Sequence, residues 1–324
     1  MHIVKERGGV SLKEKIKTCF AVCVLFLTVP YIVTYLFQGN ETSPSPEKVE
    51  NITQGQLPIT INVDGEELDV EEYLAGIVAE EIPLDRQLEA IKAQAVIART
   101  MLTRALASQE QNLPNSMSRE EMLNLWGQDG FEKNYRVLEE ALASTQGEIL
   151  VWDGEPIWAA FHAVSAGKTR KAKEALGTDL PYLGSVDSER DIPSEDYLKV
   201  IFMTKKEFVE KLNQEIPESK LTEEGVMEQI SVGKRDSGDY ALKVQVGEKT
   251  VTGEEFRNYL NLNSACFYMR EVEGQVRIVT KGLGHGLGLS QYGANEMAKE
   301  GSGYREILEY YYQKAEIKKE NSNT

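Results

Sequence analysis

Apolar residues along the chain change their spacing several times, and each change marks an element. The run from Cys19 to Phe37, CFAVCVLFLTVPYIVTYLF, carries no charge and has about the length of roughly 20 residues that a bilayer-spanning helix needs. Pro30 kinks such a helix without forbidding it. After a polar stretch, ITINV alternates apolar and polar side chains and ends at the turn pair Asp64-Gly65, the pattern of a half-buried strand entering a hairpin. Asp69 then precedes VEEYLAGIVAE, with Glu72 three positions on, a capping-box variant that predicts a helix from about Val70 to about Glu80. Pro83 pushes the residue before it out of helical geometry and ends that segment. A second helix is predicted from about Leu84, because Leu88, Ile91, Ala95, Ala98, Leu102 and Leu106 recur at three- and four-residue spacing. Its alanines predict close approach to another element.

Further on, EILVW and EPIWAAFHAV flank Asp153-Gly154, a hairpin whose second strand begins at an edge because Pro156 cannot donate to a ladder. YALKVQV with TVTG, and CFYMREVEGQVRIVTKG, supply more strand pairs. Helical periods cover Lys205–Asn213, Glu254–Leu260, Gln291–Lys299 and Tyr304–Tyr312. Hairpins mixed with helices, without regular βαβ alternation, predict an α+β fold. There is no internal repeat.

Composition narrows the partners. Asp+Glu 52 against Lys+Arg 36 gives a net charge of -16, which argues against nucleic acid, since phosphate binding needs a basic stripe. Two of the three cysteines, Cys19 and Cys23, lie in the apolar run, so the rest of the chain has neither a disulfide framework nor a multi-cysteine metal site. Lys13, Lys15 and Lys17 precede that run, which places the N-terminus in the cytoplasm and the body outside. No small-x-small cleavage site follows it, so it reads as an uncleaved anchor, not a signal peptide. The predicted organisation is a cytoplasmic segment over 1–17, a transmembrane helix over 18–37, a linker rich in Pro, Ser, Asn and Thr over 38–56, a body over 57–318 and a polar tail over 319–324.

Three stretches carry candidate chemistry. Glu80 and Glu81 lie at the junction between the first helix and Ile82-Pro83, either as two solvated acids or with one of them reactive. KGLGHGLGLSQYGA places four glycines around His285 and follows them with Ser290, Gln291 and Tyr292. Glycine there permits close backbone approach to a ligand, and the polar cluster suits sugar hydroxyls; the alternative is a tight turn with a core histidine. The Lys-Ser/Thr of a phosphate-binding P-loop is absent. FHAVSAGKT offers His162 and Ser165, again either ligands or structural.

EEYLAGIVAEEIP with EAIKAQAVIART, FHAVSAGKT and GHGLGLSQYGANEMA, in that order and separation, resemble the stage II sporulation protein D family, the SpoIID/LytB domain. The resemblance runs from about Leu57 to the C-terminal helix. It implies a membrane-anchored lytic transglycosylase that cuts peptidoglycan glycan strands during forespore engulfment. It also implies a partner amidase, stage II sporulation protein P, and a membrane protein, stage II sporulation protein M. The family's catalytic glutamate stands directly before a hydrophobic-Pro pair, which selects Glu81; His162, Ser165, His285, Ser290, Gln291 and Tyr292 fall in the motifs as candidate substrate contacts. Some relatives carry zinc on a histidine and two cysteines after the FHS-type strand; here no cysteine follows His162, so neither metal nor other cofactor is expected. The usual SGG reads Ser165-Ala166-Gly167.

A lytic transglycosylase needs one carboxyl where most glycosidases need two, because the muramyl C6 hydroxyl is the nucleophile and closes a 1,6-anhydro ring. That carboxyl must be protonated near neutral pH. A helix C-terminus, a neighbouring carboxylate and an apolar wall from Ile82 and Pro83 all raise its pKa. The competing expectation is a non-catalytic glycan-binding enhancer of a cell-wall amidase.

Overall fold

The structure, a computed structural model, describes residues 60–63, 65–108 and 113–319. Two compact units divide the chain, Met1–Asn51 and Ile52–Thr324, and every described residue belongs to the second. The anchor expected at 18–37 and the linker at 38–56 lie outside the described residues. Among the described residues no helix is long and apolar enough to cross a membrane.

Helices and sheets are mixed, as the hairpin-rich pattern predicts. Strands β1 (Thr60–Val63) and β2 (Glu66–Asp69) form an antiparallel hairpin. Helix α1 spans Val70–Glu81, and the Asp69 carboxylate accepts the N–H groups of Glu71 at 2.9 Å and Glu72 at 3.0 Å, so its first turn has the cap that the sequence predicts. Helix α2 spans Leu88–Ala107 and starts four residues later than expected. Residues 84–87 make a turn instead, and the Gln87 N–H is capped by the Asn295 side chain at 2.8 Å, 208 positions away. A long-range polar partner, invisible to periodicity, sets that boundary.

Helix α3, Arg119–Ser144, was not anticipated. Its apolar positions are sparse, and Gly127 at φ 67°, ψ 174° breaks it into two helices. A Ser118/Glu121 capping box starts it. Strand β3 (Glu148–Trp152) turns through Asp153 and Gly154, both at positive φ, into β4 (Glu155–Pro156). The hairpin's second strand is far shorter than expected: Phe161–His162, β5, pairs in parallel with a later strand instead. Pro156 lacks a donor, and Ile157, Ala159 and Ala160 turn into the core.

After a single helical turn, α4 (Ala172–Ala175), come β6 (Leu198–Thr204), α5 (Lys205–Glu215), β7 (Ile230–Arg235), β8 (Ala241–Val246), β9 (Lys249–Thr252), α6 (Gly253–Leu260), β10 (Phe267–Val272) and β11 (Gln275–Lys281). These elements form two antiparallel sheets, ordered β10-β11-β6 and β7-β8-β9, around their own core of Phe208, Leu212, Val244, Phe256, Phe267 and Ile278. The chain then returns through β12 (Leu289–Ser290), α7 (Gln291–Lys299), α8 (Tyr304–Tyr311) and β13 (Glu316–Lys319). β12 pairs with β5, and β13 completes the sheet β13-β3-β4.

Helix α2 is the axis of the remaining body. Its predicted stripe, Ile91, Ala95, Ala98 and Leu102, packs with Leu74, Ile77, Val78 and Leu138 of α1 and α3. The opposite side, Ala90, Ala93, Val96 and Ile97, packs with Leu150, Ala294, Ile307 and Leu308. A helix covered on both sides needs small residues where neighbours come closest, which accounts for its alanines.

Candidate active site

Glu81 is the last residue of α1, and Ile82 leaves the helix in extended conformation at φ −134°, ψ 135°. Glu80 is exposed, whereas Glu81 turns inward and is mostly covered, as their roughly 100° separation around a helix requires. Three elements meet at Glu81. From α2, Gln94 Nε2 donates to its carboxylate at 2.8 Å. From α7, Gln291 Nε2 donates to its backbone carbonyl at 2.7 Å and to Gln94 Oε1 at 3.3 Å. Both glutamines are buried, so the carboxyl has a fixed position, as a reacting group must.

Burial raises the Glu81 pKa from 4.5 to about 7; the Gln94 hydrogen bond opposes this, and the neighbouring Glu80 charge adds to it. Glu81 therefore carries its proton on a substantial fraction of molecules at neutral pH, the condition for a general acid. A hollow of about 280 Å³ opens beside it, with Pro83, Leu84, Met117, Leu125 and Trp126 in its wall. A larger groove of about 930 Å³ shares Glu80, Met117 and Leu125 with that hollow. Leu125 is 65% exposed, and the Gly127 break falls just after Trp126. The kink thus presents an apolar, aromatic ledge next to the acid.

The other sequence candidates fall into three groups. Gln291 touches Glu81, and Tyr292 lies on the same turn, its ring 5.9 Å from the Arg86 guanidinium. Ser165 and Ser290 are fully buried and converge on Asp191: the Ser165 N–H donates at 2.8 Å, Ser290 Oγ at 2.9 Å and Ser188 Oγ at 2.9 Å. Burial raises the Asp191 pKa, and those hydrogen bonds work against the rise. Ser290 also caps α7 through the Gly293 N–H at 3.3 Å. This knot holds the start of α7, and hence Gln291, against α1.

The two histidines are neighbours, with ring centroids 5.9 Å apart. His162 is buried; its Nδ1 lies 3.0 Å from the Leu287 carbonyl, which makes Nδ1 the protonated nitrogen, and its Nε2 has no partner among the described residues. Burial pushes its pKa down to about 3. His285 Nδ1 accepts the Leu287 N–H at 3.0 Å, and burial lowers its pKa too. The glycine-rich segment lies against residues 160–170, with bridges Val164↔Leu283 and Arg170↔Leu287. At Gly288, φ +69°, an added Cβ would sit 1.7 Å from the Ala160 carbonyl oxygen, so that segment needs its glycine for close backbone packing. Among the described residues no group of three or more His, Cys, Asp or Glu is arranged to hold a metal ion.

A family model described as Stage II sporulation protein matches residues 63–152, the stretch that holds α1, α2 and Glu81. The chain is 32% identical over 340 aligned positions to Stage II sporulation protein D of Bacillus subtilis (strain 168), covering 94% of this chain and 96% of the relative. The chain belongs to the stage II sporulation protein D family. A second member, from Bacillus amyloliquefaciens, is 32% identical over 93% of this chain and 94% of its own length. Bacillus subtilis also has a relative named Amidase enhancer, 25% identical over 74% of this chain and 39% of the relative.

In this family member the fold brings the sequence candidates Glu81 and Gln291 into contact, and Gln94, Trp126, Asp191 and Asn295 around them are not among the sequence candidates. Gln94 carried a signal, a long polar side chain inside the otherwise apolar run KAQAVIA. Trp126 had one as well, a Leu-Trp-Gly triplet in a polar segment. Asp191 and Asn295 hold the site through Ser165, Ser290 and Gln87, which are distant in sequence, and carry none.

Proposed function

We propose that this chain is a lytic transglycosylase acting on peptidoglycan glycan strands, with Glu81 as its general acid and base. The observation that carries this reading is a single, positioned carboxyl with its pKa at about 7 in the wall of an open groove. Among the described residues the one other carboxylate in the hollow's wall, Glu80, is exposed and adjacent in the helix, a poor placement for a second carboxylate flanking the scissile bond from the opposite side. One carboxyl suffices if the substrate provides the nucleophile. Glu81 gives its proton to the glycosidic oxygen as the bond from muramyl C1 breaks. The muramyl C6 hydroxyl attacks C1, and its proton passes to the Glu81 carboxylate. The acid is regenerated, and the product carries a 1,6-anhydro ring.

Trp126 and Leu125 offer an apolar ledge for a sugar face. The anchor at 18–37 would hold the body outside the cytoplasm, where such strands lie and where a partner amidase and a membrane protein of the kind implied by the resemblance would work beside it. The test is Glu81→Gln, which keeps the shape but cannot donate the proton in the same way. Anhydro-muramyl products from purified strands should fall by at least the ~10²–10⁴-fold expected of a general acid, with binding to strands retained. Unchanged product would reject the mechanism.

The second reading is a glycan-binding enhancer of a wall amidase, favoured by the relative of that name. It predicts strand binding with no anhydro ends from the wild-type chain, and faster release of stem peptides when an amidase is added.

A further inference from the structure

The chain has three tryptophans, and each lines a groove. Trp126 stands in the hollow beside Glu81. Trp152 and Trp158 line a separate groove of about 790 Å³ between the C-terminal half of α2 and the segment that follows β3. Trp152 is 39% exposed. Its place at the end of β3 is fixed by its pairing with Glu155 across the Asp153-Gly154 turn, and its ring lies 6.0 Å from Tyr182. The Trp158 N–H donates to the Tyr182 hydroxyl at 3.3 Å, which locks the second tryptophan's backbone to the same tyrosine. Large aromatic surface held rigid but left open is the mark of a ligand face, since burial in the core would otherwise be favoured.

Arg104 also lines this groove, and its side chain has no carboxylate partner among the described residues. The groove therefore combines flat apolar faces with two charged side chains, Arg104 and Glu155, which no ion pair joins among the described residues. Sugar rings have apolar faces and polar edges, and an unpaired arginine selects carboxylates. The placement relates this groove to the acid. The groove shares Leu113 and Pro114 with the groove of about 930 Å³, which in turn shares Glu80, Met117 and Leu125 with the hollow at Glu81, so the two are joined along the surface.

We propose that this groove is a second subsite for a carboxylate-bearing glycan strand, which a chain engaged at Glu81 reaches across the surface walled by Met117, Pro114 and Leu113. The inference rests on the reading of the substrate as peptidoglycan, and its test separates the two. In the full chain carrying Trp126→Phe, the remaining tryptophan emission comes from Trp152 and Trp158 alone. Purified peptidoglycan strands bearing stem peptides should change that emission with a saturable dependence. Adding Trp152→Ala should weaken strand binding about tenfold, the scale of one lost aromatic contact. Arg104→Gln should weaken binding of those strands while leaving binding of neutral N-acetylglucosamine tetramer unchanged.

If strands alter the emission of the wild-type chain but not of Trp126→Phe, the second subsite is refuted, and the proposal for Glu81 is untouched. If Trp152→Ala loses its fold by circular dichroism, Arg104→Gln decides: equal affinity for charged and neutral probes before and after the substitution overturns the proposal. A wild-type chain that binds strands through this groove while Glu81→Gln cleaves normally would instead sink the catalytic reading alone.

Discussion

The Gln94 amide and the Glu80 charge act on Glu81 in opposite directions, so removing each one should move the same titration in opposite senses. Gln94 donates to the Glu81 carboxylate at 2.8 Å and favours its ionised form; Glu80 disfavours it. A hydrogen bond to a charged group contributes about 1.5–3 kcal/mol, and one pH unit corresponds to about 1.4 kcal/mol. Gln94→Leu should therefore raise the pKa of Glu81 by about one unit or more from its value of about 7. Glu80→Gln should lower it by less, because the Glu80 charge is the smaller influence. For a general acid the rate falls above the pKa. The alkaline limb of kcat/KM for anhydro product should lie near pH 7 in the wild type, higher in Gln94→Leu and lower in Glu80→Gln. Gln94→Leu should also lose part of its limiting rate, since the carboxyl loses its support. Limbs that move in the same direction, or a profile with no limb near pH 7, would show that Glu81 is not the titrating acid.

Trp126→Ala should raise KM for glycan strands about tenfold and change kcat less, read by steady-state kinetics, because it removes a binding face and not the acid. Asp191→Ala should lower stability by about 3 kcal/mol in chemical denaturation, because it leaves the buried Ser165 N–H and the Ser188 and Ser290 hydroxyls without an acceptor. Protease added to intact protoplasts should remove everything after about Asn40 and spare a short stub; a protected body would reject the outward orientation argued from Lys13, Lys15 and Lys17.

The elements legible from sequence are those whose signals are local. Asp69 caps α1 by itself, the Asp153-Gly154 turn needs no distant partner, and α7 begins at Gln291 as its period predicts. What escaped depends on contacts across the chain. The start of α2 is set by Asn295, and β5 pairs with β12 and not with β3. α3 is held by packing, with a break at Gly127 in a mostly polar segment. The site divides in the same way. Glu81 is marked by its neighbours Ile82 and Pro83, whereas the atoms that position it come from Gln94 and Gln291, 13 and 210 residues away. The glycine-rich segment has the composition of a ligand loop; in the fold its glycines let it lie against residues 160–170, and the polar cluster at its end supplies Gln291 to the acid.

Glu81 and His162 set opposing pH dependences on stability, and one substitution separates them. The Glu81 pKa is raised on folding, from 4.5 to about 7. As pH falls from 7 to 5 the folded chain takes up a proton there that the unfolded chain does not, so stability rises. With about 1.4 kcal/mol per pH unit, that gain is about 2 kcal/mol. His162 is lowered on folding, from 6.5 to about 3. Over the same interval the unfolded chain takes up a proton there and the folded chain does not, so stability falls, again by about 2 kcal/mol. The two nearly cancel between pH 7 and 5. Below 4.5 the Glu81 contribution is complete while the His162 penalty continues to grow towards pH 3. Glu81→Gln removes the gain and leaves the penalty. Relative to wild type, the variant should be more stable at pH 8, where the wild type must hold a buried carboxylate charge, and should lose about 2 kcal/mol of that advantage by pH 5 in urea denaturation. Only the difference between the two chains is diagnostic, because surface groups titrate equally in both. A difference that does not change across this interval would mean that the folded chain does not hold Glu81 with a raised pKa, and the general-acid assignment would lose its physical basis.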